Sequence, residues 1–267
     1  MTDRTRTTVV TGSASGMGAA NRRRLEAEGH RVIGVDVRDA EVVADLSTAD
    51  GRRAAVEGVA DRAAGAIDGL VTWAGLSGLT GRPGRLVAAV NYFGTVELLM
   101  GLRPLLAAGD RPAAVAISSN STTIQPGVPM DLVDALLAGD EAAALAEADL
   151  GDSFAAYPAS KLAVARWCRR AAVTDEWAGA GIRLNVIAPG AVETPLLAAS
   201  RADETVGSFI DALPIPAGAP ASPDDIVGVV SFLLGPDARF LVGSFVVVDG
   251  GSDALIRPDA MPVPFDL

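Results

Sequence analysis

A chain of 267 residues with 49% hydrophobic content is long for one domain but ordinary for a single α/β unit with a large core. Its formal net charge of −11 argues against nucleic acid or an anionic membrane as a partner, and the basic run Arg22-Arg23-Arg24 is offset by Glu26 and Glu28. One cysteine, Cys168, and one histidine, His30, exclude an internal disulfide and a multi-cysteine metal site and argue against histidine catalysis.

The opening segment Met1–Arg6 has no apolar signal core, and no apolar run approaches spanning length, so a soluble, cytoplasmic protein is expected. Thr7–Val10 is a short β-branched run that reads as a buried strand. It leads into Thr11-Gly12-Ser13-Ala14-Ser15-Gly16-Met17-Gly18, followed by a helical stretch through Glu28. Glycines at a strand-to-helix turn let the backbone approach a pyrophosphate whose charge faces the helix N-terminus. The spacing is G-x-x-x-G-x-G, and a purely structural turn is the alternative. His30 follows Gly29 at a helix end, where a histidine serves the helix terminus.

Arg31–Asp36 is the next strand. A carboxylate at its end can bond the adenosine ribose hydroxyls and repels a 2′-phosphate, so Asp36 favours NAD over NADP; a turn acid is the alternative, and Arg38 lies nearby. Asp45-Leu46 ends a short Val42–Ala44 strand at a position able to touch an adenine ring. Helical pattern runs from about 49 to 64, and Gly69–Trp73 is a strand ending in Ala74-Gly75, small residues that permit close backbone approach. A helix over about 86–107 carries Asn91, a poor helix former that serves either a side-chain role or a solvated face. The strand Ala113–Ile117 ends at Ser118-Ser119, a pair suited to turn chemistry as readily as to catalysis. Strands alternating with helices predict a parallel sheet, with ligands at the strand carboxyl ends where Gly12, Asp36, Gly75 and Ser119 fall.

Between Ser119 and Tyr157 acids recur and no basic residue occurs. Pro126 and Pro129 introduce a helix over 130–138, and a second follows Gly139 from Asp140 to about Asp149. This is a helical insertion, about 122–155, covering a site or forming an interface.

Tyr157-Pro158-Ala159-Ser160-Lys161 lies on a helix expected to reach about Ala178. Residues four apart share a helix face, which brings the phenol and the ammonium together. Lys161 is the only lysine, and Tyr92 and Tyr157 are the only tyrosines, so chance placement is a poor account of the spacing. A tyrosine working near neutral pH needs its pKa lowered by about three units, roughly 4 kcal/mol. One cation ~4 Å away supplies about that much; desolvation opposes it, and a second positive charge such as an oxidised nicotinamide helps.

Arg183–Ile187 is the sixth strand, followed by Ala188-Pro189-Gly190-Ala191-Val192-Glu193-Thr194-Pro195. Residues 195–221 form a Pro- and Gly-punctuated candidate lid. Ser222 caps a helix stopped by Gly235-Pro236, and Phe245–Asp249 is the last strand. No repeat or linker divides the chain, so a single domain over 1–267 with about seven strands is expected.

The combination of the Thr11–Gly18 loop, Asp36, Ala74-Gly75, Asn91, Ser119, Tyr157-x-x-x-Lys161 and Pro189-Gly190…Thr194-Pro195 resembles the short-chain dehydrogenase/reductase family from end to end. The insertion, the Gly69–Leu76 stretch and Ile256-Arg257-Pro258 look most like its 3α-hydroxysteroid dehydrogenase/carbonyl reductase branch. The resemblance implies a Rossmann-type doubly wound α/β fold and no metal. It implies Asn91, Ser119, Tyr157 and Lys161 as catalytic residues. Tyr157 exchanges the proton, Ser119 bonds the same substrate oxygen, Lys161 holds the nicotinamide ribose and lowers the Tyr157 pKa, and Asn91 positions a relay water. The Pro189–Thr194 loop, with Gly190, Val192 and Thr194, fixes the carboxamide. Gly12, Ser15, Gly16, Met17, Gly18, Asp36, Asp45, Leu46, Ala74 and Gly75 complete the cofactor set.

Two departures stand out. The family has Asn-Ala-Gly where this chain has Trp73-Ala74-Gly75, which puts local packing in doubt. The insertion abuts a helix used for tetramer contacts in the family, so a dimer or altered tetramer is expected. The implied activity is NAD(H)-dependent interconversion of a secondary alcohol and a ketone on a small hydrophobic, steroid-like substrate. A sugar or polyol dehydrogenase and an acyl-thioester ketoreductase are the alternatives within the family, and a non-catalytic dinucleotide sensor is the alternative outside it.

Overall fold

Strands buried on both faces need near-continuous apolar sequence, and Val9-Val10, Leu70-Val71 and Ala113–Ile117 supply it. The computed structural model describes residues 4–262; Met1–Asp3 of the opening segment and residues 263–267 lie outside the described part. β1 (Thr7–Thr11) leads into α1 (Gly16–Ala27), β2 (Arg31–Asp36), β3 (Val42–Val43) and α2 (Ala49–Arg62). After β4 (Gly69–Thr72), α3 (Gly84–Ala88) passes through a π-helical turn at Ala89–Phe93 into α4 (Gly94–Ala107), and β5 (Ala113–Ile117) follows. Then come α5 (Ser121–Ile124), α6 (Met130–Ala138), α7 (Glu141–Ala148), α8 (Ser153–Ala171) and β6 (Arg183–Pro189). α9 (Pro195–Arg201), α10 (Gly207–Asp211) and α11 (Pro223–Leu234) precede β7 (Phe245–Val248), and α12 (Ser252–Ile256) closes the order.

The seven strands form one parallel sheet in the order β3-β2-β1-β4-β5-β6-β7. The chain builds outward from β1 in one direction, then in the other from β4, so a crevice opens between the loops after these two strands. Alternate strand residues feed two core layers. Val9, Ile33 and Leu70 pack beneath the α2, α4 and α8 helices, and Val10, Val32 and Val71 beneath α1 and α11. Gly84–Ala107 is long and apolar enough to cross a membrane, yet its Leu98, Leu99, Leu102 and Leu106 are fully buried in the first layer.

The structure amends several readings. The Tyr157 helix starts at Ser153, where the Asp152 carboxylate accepts from the Ala155 N–H at 2.8 Å and caps it. It stops at Ala171 rather than about Ala178, because the Thr174 hydroxyl donates to the Ala171 carbonyl at 2.8 Å. Trp177 then turns into the core, edge-on to Trp167. His30 is no helix-end cation: its Nδ1 pairs with the Thr8 hydroxyl at 2.8 Å, and burial pulls its pKa down. In the insertion, α6 packs on α8 and α7 on α3. The buried Arg52 guanidinium ties it down, donating to Glu97 at 2.7 Å and to Glu141 at 2.6 Å. Of its residues, Ile124, Gln125 and Pro126 at the start and Phe154 at the end line the crevice region.

Candidate active site

The loop after β1 must turn sharply and lie against the loop after β4. Gly12 has φ +65°, and a Cβ there would sit 2.8 Å from the Ala74 nitrogen. A Cβ on Gly18 would fall 2.1 Å from the Gly12 carbonyl oxygen, so no larger residue fits at the start of α1. The Thr11 hydroxyl accepts from the Ala74 N–H at 3.0 Å and fixes the two loops together. Ser15 stands at the N-cap of α1 without a side-chain cap, leaving the helix amides directed at the cleft.

That cleft has a volume of about 350 Å³. Gly12, Ser15, Gly16, Met17 and Gly18 line one wall, and Ala74 and Gly75 the opposite one. Asp36, Asp45 and Leu46 line one end and Thr194 another part of the wall. The Asp36 carboxylate accepts from the Ala14 N–H at 3.0 Å and the Val37 N–H at 2.7 Å, which holds it in place at the end of β2. A glycine cradle, an uncapped helix N-terminus and an acid at the second strand together fit a dinucleotide.

Next to this cleft, a space of about 90 Å³ is shared by Ser119, Tyr157, Lys161, Pro189, Gly190, Val192 and Thr194. β5 presents Ser119, α8 presents Tyr157 and Lys161 on one face, and the loop after β6 supplies the rest. The Ser119 hydroxyl shares this space with the phenol, where it favours the ionised form, and it accepts from the Ser121 N–H at 3.2 Å. The Lys161 ammonium donates to the Ile117 carbonyl at 3.1 Å. Its burial, with no carboxylate paired to it, lowers its pKa to about 8. Burial pushes the Tyr157 phenol above its ordinary value, and the bond from Ser119 pulls it partly back. Proximity to Lys161 was expected to depress the phenol; in this geometry desolvation dominates instead.

Asn91 sits in the π-helical turn and is fully buried, which removes the solvated-face reading. Its Oδ1 accepts from the Leu76 N–H at 2.8 Å, and its Nδ2 donates to the Leu76 carbonyl at 3.0 Å and the Ser160 hydroxyl at 3.2 Å. The side chain thus clamps the peptide just past Gly75, whose Cβ would come 3.3 Å from the Lys161 Nζ. Cys168 is packed in the core, where burial raises its thiol pKa. Trp73 is accommodated by Asn21, whose Oδ1 accepts from the indole Nε1 at 2.8 Å.

Sequence reasoning missed the larger cavity on the far side of the phenol, about 450 Å³. Leu197, Phe209, Ile210 and Leu213 of the lid face Ser119, Gln125, Phe154 and Tyr157 across it. Phe154 and Phe209 approach at 6.0 Å between ring centres. The i, i+3 relation of Phe154 to Tyr157 was a readable signal. The lid is fastened by Asp203, which accepts from the Thr80 N–H at 2.7 Å and the Thr80 hydroxyl at 2.9 Å. These bonds, led by the Thr80 N–H, hold its pKa at about 2.

The chain is 44% identical, over 94% of its length and 97% of the relative's, to a 3-alpha-hydroxysteroid dehydrogenase/carbonyl reductase of Comamonas testosteroni. It belongs to the short-chain dehydrogenase/reductase family. The family profile described as enoyl-(acyl carrier protein) reductase matches residues 142–253. A cis-4-hydroxycyclohexanecarboxylate dehydrogenase of Sinomonas cyclohexanicum is 34% identical, covering 94% of this chain and 97% of that one. Among solved structures, a 3-alpha-hydroxysteroid dehydrogenase from Pseudomonas sp. B-0831 complexed with NADH superposes with a TM-score of 0.90. It is 49% identical and covers 95% of this chain and 99% of that one. The protein is accordingly an oxidoreductase of this family with a site for a nicotinamide dinucleotide.

Proposed function

We propose that the protein uses NAD(H) to interconvert a secondary alcohol and a ketone on a hydrophobic alicyclic substrate, a hydroxysteroid being the leading candidate. The observation that carries this reading is the position of Tyr157, which borders the small space beside the dinucleotide cleft and also the large apolar cavity. When bound, the oxidised nicotinamide supplies the hydride acceptor and a second positive charge. Tyr157, as phenolate, accepts the proton of the substrate hydroxyl, and Ser119 donates to the same oxygen. Lys161 contributes its charge from the space beside the cleft and would hold the nicotinamide ribose. Asn91 supports this set through the Leu76 peptide and Ser160, to which its side chain is committed.

Asp36 supports NAD over NADP, since its carboxylate is fixed at the end of β2 and would repel a 2′-phosphate there. A cavity of about 450 Å³ walled by Phe154 and by Leu197, Phe209, Ile210 and Leu213 of the lid supports a fused-ring substrate over a polyol. Packing of α6 and α7 over α8 and α3 supports a homodimer over a tetramer built through those helices, and light scattering that shows a tetramer would oppose it. The need for NAD(H) fits a cytoplasmic setting.

The test is NAD reduction against a panel of 3-hydroxysteroids and cyclic alcohols, with Tyr157→Phe alongside. Turnover of a panel member that falls by at least about 100-fold in the variant is expected. No turnover of any panel member removes the substrate reading. Unchanged turnover in Tyr157→Phe removes the mechanism.

A further inference from the structure

We propose that Asp249, just past the carboxyl end of β7, is a positioning residue for Ser119, acting through Asn120 and touching neither substrate nor cofactor. Asp249 borders neither the space around the phenol nor the large cavity. Its Oδ2 accepts from the Asn120 Nδ2 at 3.3 Å and from the Asp253 N–H at 2.8 Å, and its Oδ1 accepts from the Gly251 N–H at 3.0 Å. One carboxylate therefore caps the turn into α12 and grips the residue that follows Ser119.

The grip is reinforced on both sides. The Asn120 N–H donates to the Pro189 carbonyl at 3.0 Å, so the Ser119 segment is tied to the loop after β6. That loop lies so close to Asp249 that a Cβ on Gly190 would stand 2.7 Å from the Asp249 Cβ. The Thr123 hydroxyl donates to the Asn120 carbonyl at 3.0 Å and also faces the buried Asp253 carboxylate, which is paired with Arg257 at 2.6 Å. The Gly250 carbonyl accepts from the Ala217 N–H at 2.9 Å, at the end of the lid. The turn after β7 thus holds the serine segment, the β6 loop and the lid at one point.

The consequence is chemical. Ser119 is the hydrogen-bonding partner that favours the Tyr157 phenolate, and a serine released from its segment makes that bond less often. Among the described residues, Lys161, on the same helix, is the only charged side chain bordering the phenol; the β4, β5 and β6 loops and the lid present none there. Loss of the grip therefore raises the proton affinity of Tyr157 by about tenfold, one pH unit.

This inference rests on Tyr157 being the proton acceptor, and its test is arranged to separate the two. The chain has two tyrosines, and burial pushes Tyr92 up to about 12, so ultraviolet titration of phenolate, assigned by difference from Tyr157→Phe, isolates Tyr157. Asp249→Ala and Asn120→Ala are each expected to raise the Tyr157 midpoint, and the acid limb of kcat/KM with it, by about one pH unit; the double variant is expected to do no more. Asn120→Ala carries the test if Asp249→Ala does not fold. A folded variant of either kind with the wild-type midpoint and limb overturns the inference, even where it is less stable or slower. A Tyr157→Phe protein with full turnover would instead overturn the mechanism on which it rests.

Discussion

Replacing Lys161 with methionine is expected to abolish turnover and make the protein more stable at pH 7. Lys161 is 5% exposed and its ammonium has no carboxylate partner among the described residues; its polar contact is the Ile117 carbonyl at 3.1 Å. Burial takes its pKa from the ordinary 10.5 to about 8. At ~1.4 kcal/mol per pH unit, the charged form carries a penalty of roughly 3 kcal/mol in the folded state. Methionine removes that penalty with similar volume, and loss of the bond to Ile117 returns about 1 kcal/mol. The net gain is about 2 kcal/mol, a rise in Tm of about 4–8 °C for a chain of this size. The pH dependence follows from a folded pKa below the unfolded one. Below pH 8 the lysine is charged in both states and bears the full penalty; between about 8 and 10.5 the folded state sheds the proton first and the penalty is relieved. Thermal unfolding followed by circular dichroism at pH 7 and at pH 9.5 measures both. A variant no more stable than the parent at pH 7, or a gain that does not shrink at the higher pH, refutes the reasoning.

Asp36→Ser keeps an acceptor for the Ala14 N–H but removes the charge. Two charges on a 2′-phosphate ~5 Å away cost about 2 kcal/mol at aqueous screening and about 7 at an effective dielectric of 20. Steady-state kinetics should show the NAD-to-NADP ratio of kcat/KM falling at least about 30-fold, and an unmoved ratio would show that Asp36 does not set the preference. Trp73→Phe strands the Oδ1 of Asn21, a fully buried residue whose Nδ2 already lacks a partner. Chemical denaturation should register a loss of about 1–3 kcal/mol, and adding Asn21→Leu should recover much of it; a neutral Trp73→Phe would mean that the pair contributes little.

The sheet and both loops of the dinucleotide cleft were legible because their determinants are local. Buried parallel strands write themselves as apolar runs, and the positive φ at Gly12 and Gly16 demands glycine. What was not legible depends on partners far apart in the chain. Trp73 read as a packing problem because its answer, Asn21, lies 52 positions away. Asn91 read equally well as solvated because the peptide it clamps, at Leu76, is brought in by the loop after β4. The lid fastening of Asp203 to Thr80 spans 123 positions and leaves no local signature.

The Tyr157–Lys161 pair shows a third kind of gap. Spacing placed the two groups together, and a Coulomb term at ~4 Å then promised a phenol poised near neutrality. That sum left out the surroundings. Apart from Lys161 itself, no charged side chain among the described residues lines their region, so solvent loss raises the phenol and lowers the ammonium at once. A site in this condition is not assembled for stability, because filling it with apolar side chains would favour the fold. In the proposed mechanism, Ser119 and the positive charge that a bound oxidised nicotinamide would bring favour the phenolate. On this account proton transfer is coupled to occupancy of the neighbouring cleft: the phenol holds its proton until the dinucleotide site is filled, and base catalysis is confined to the complex that can also accept the hydride.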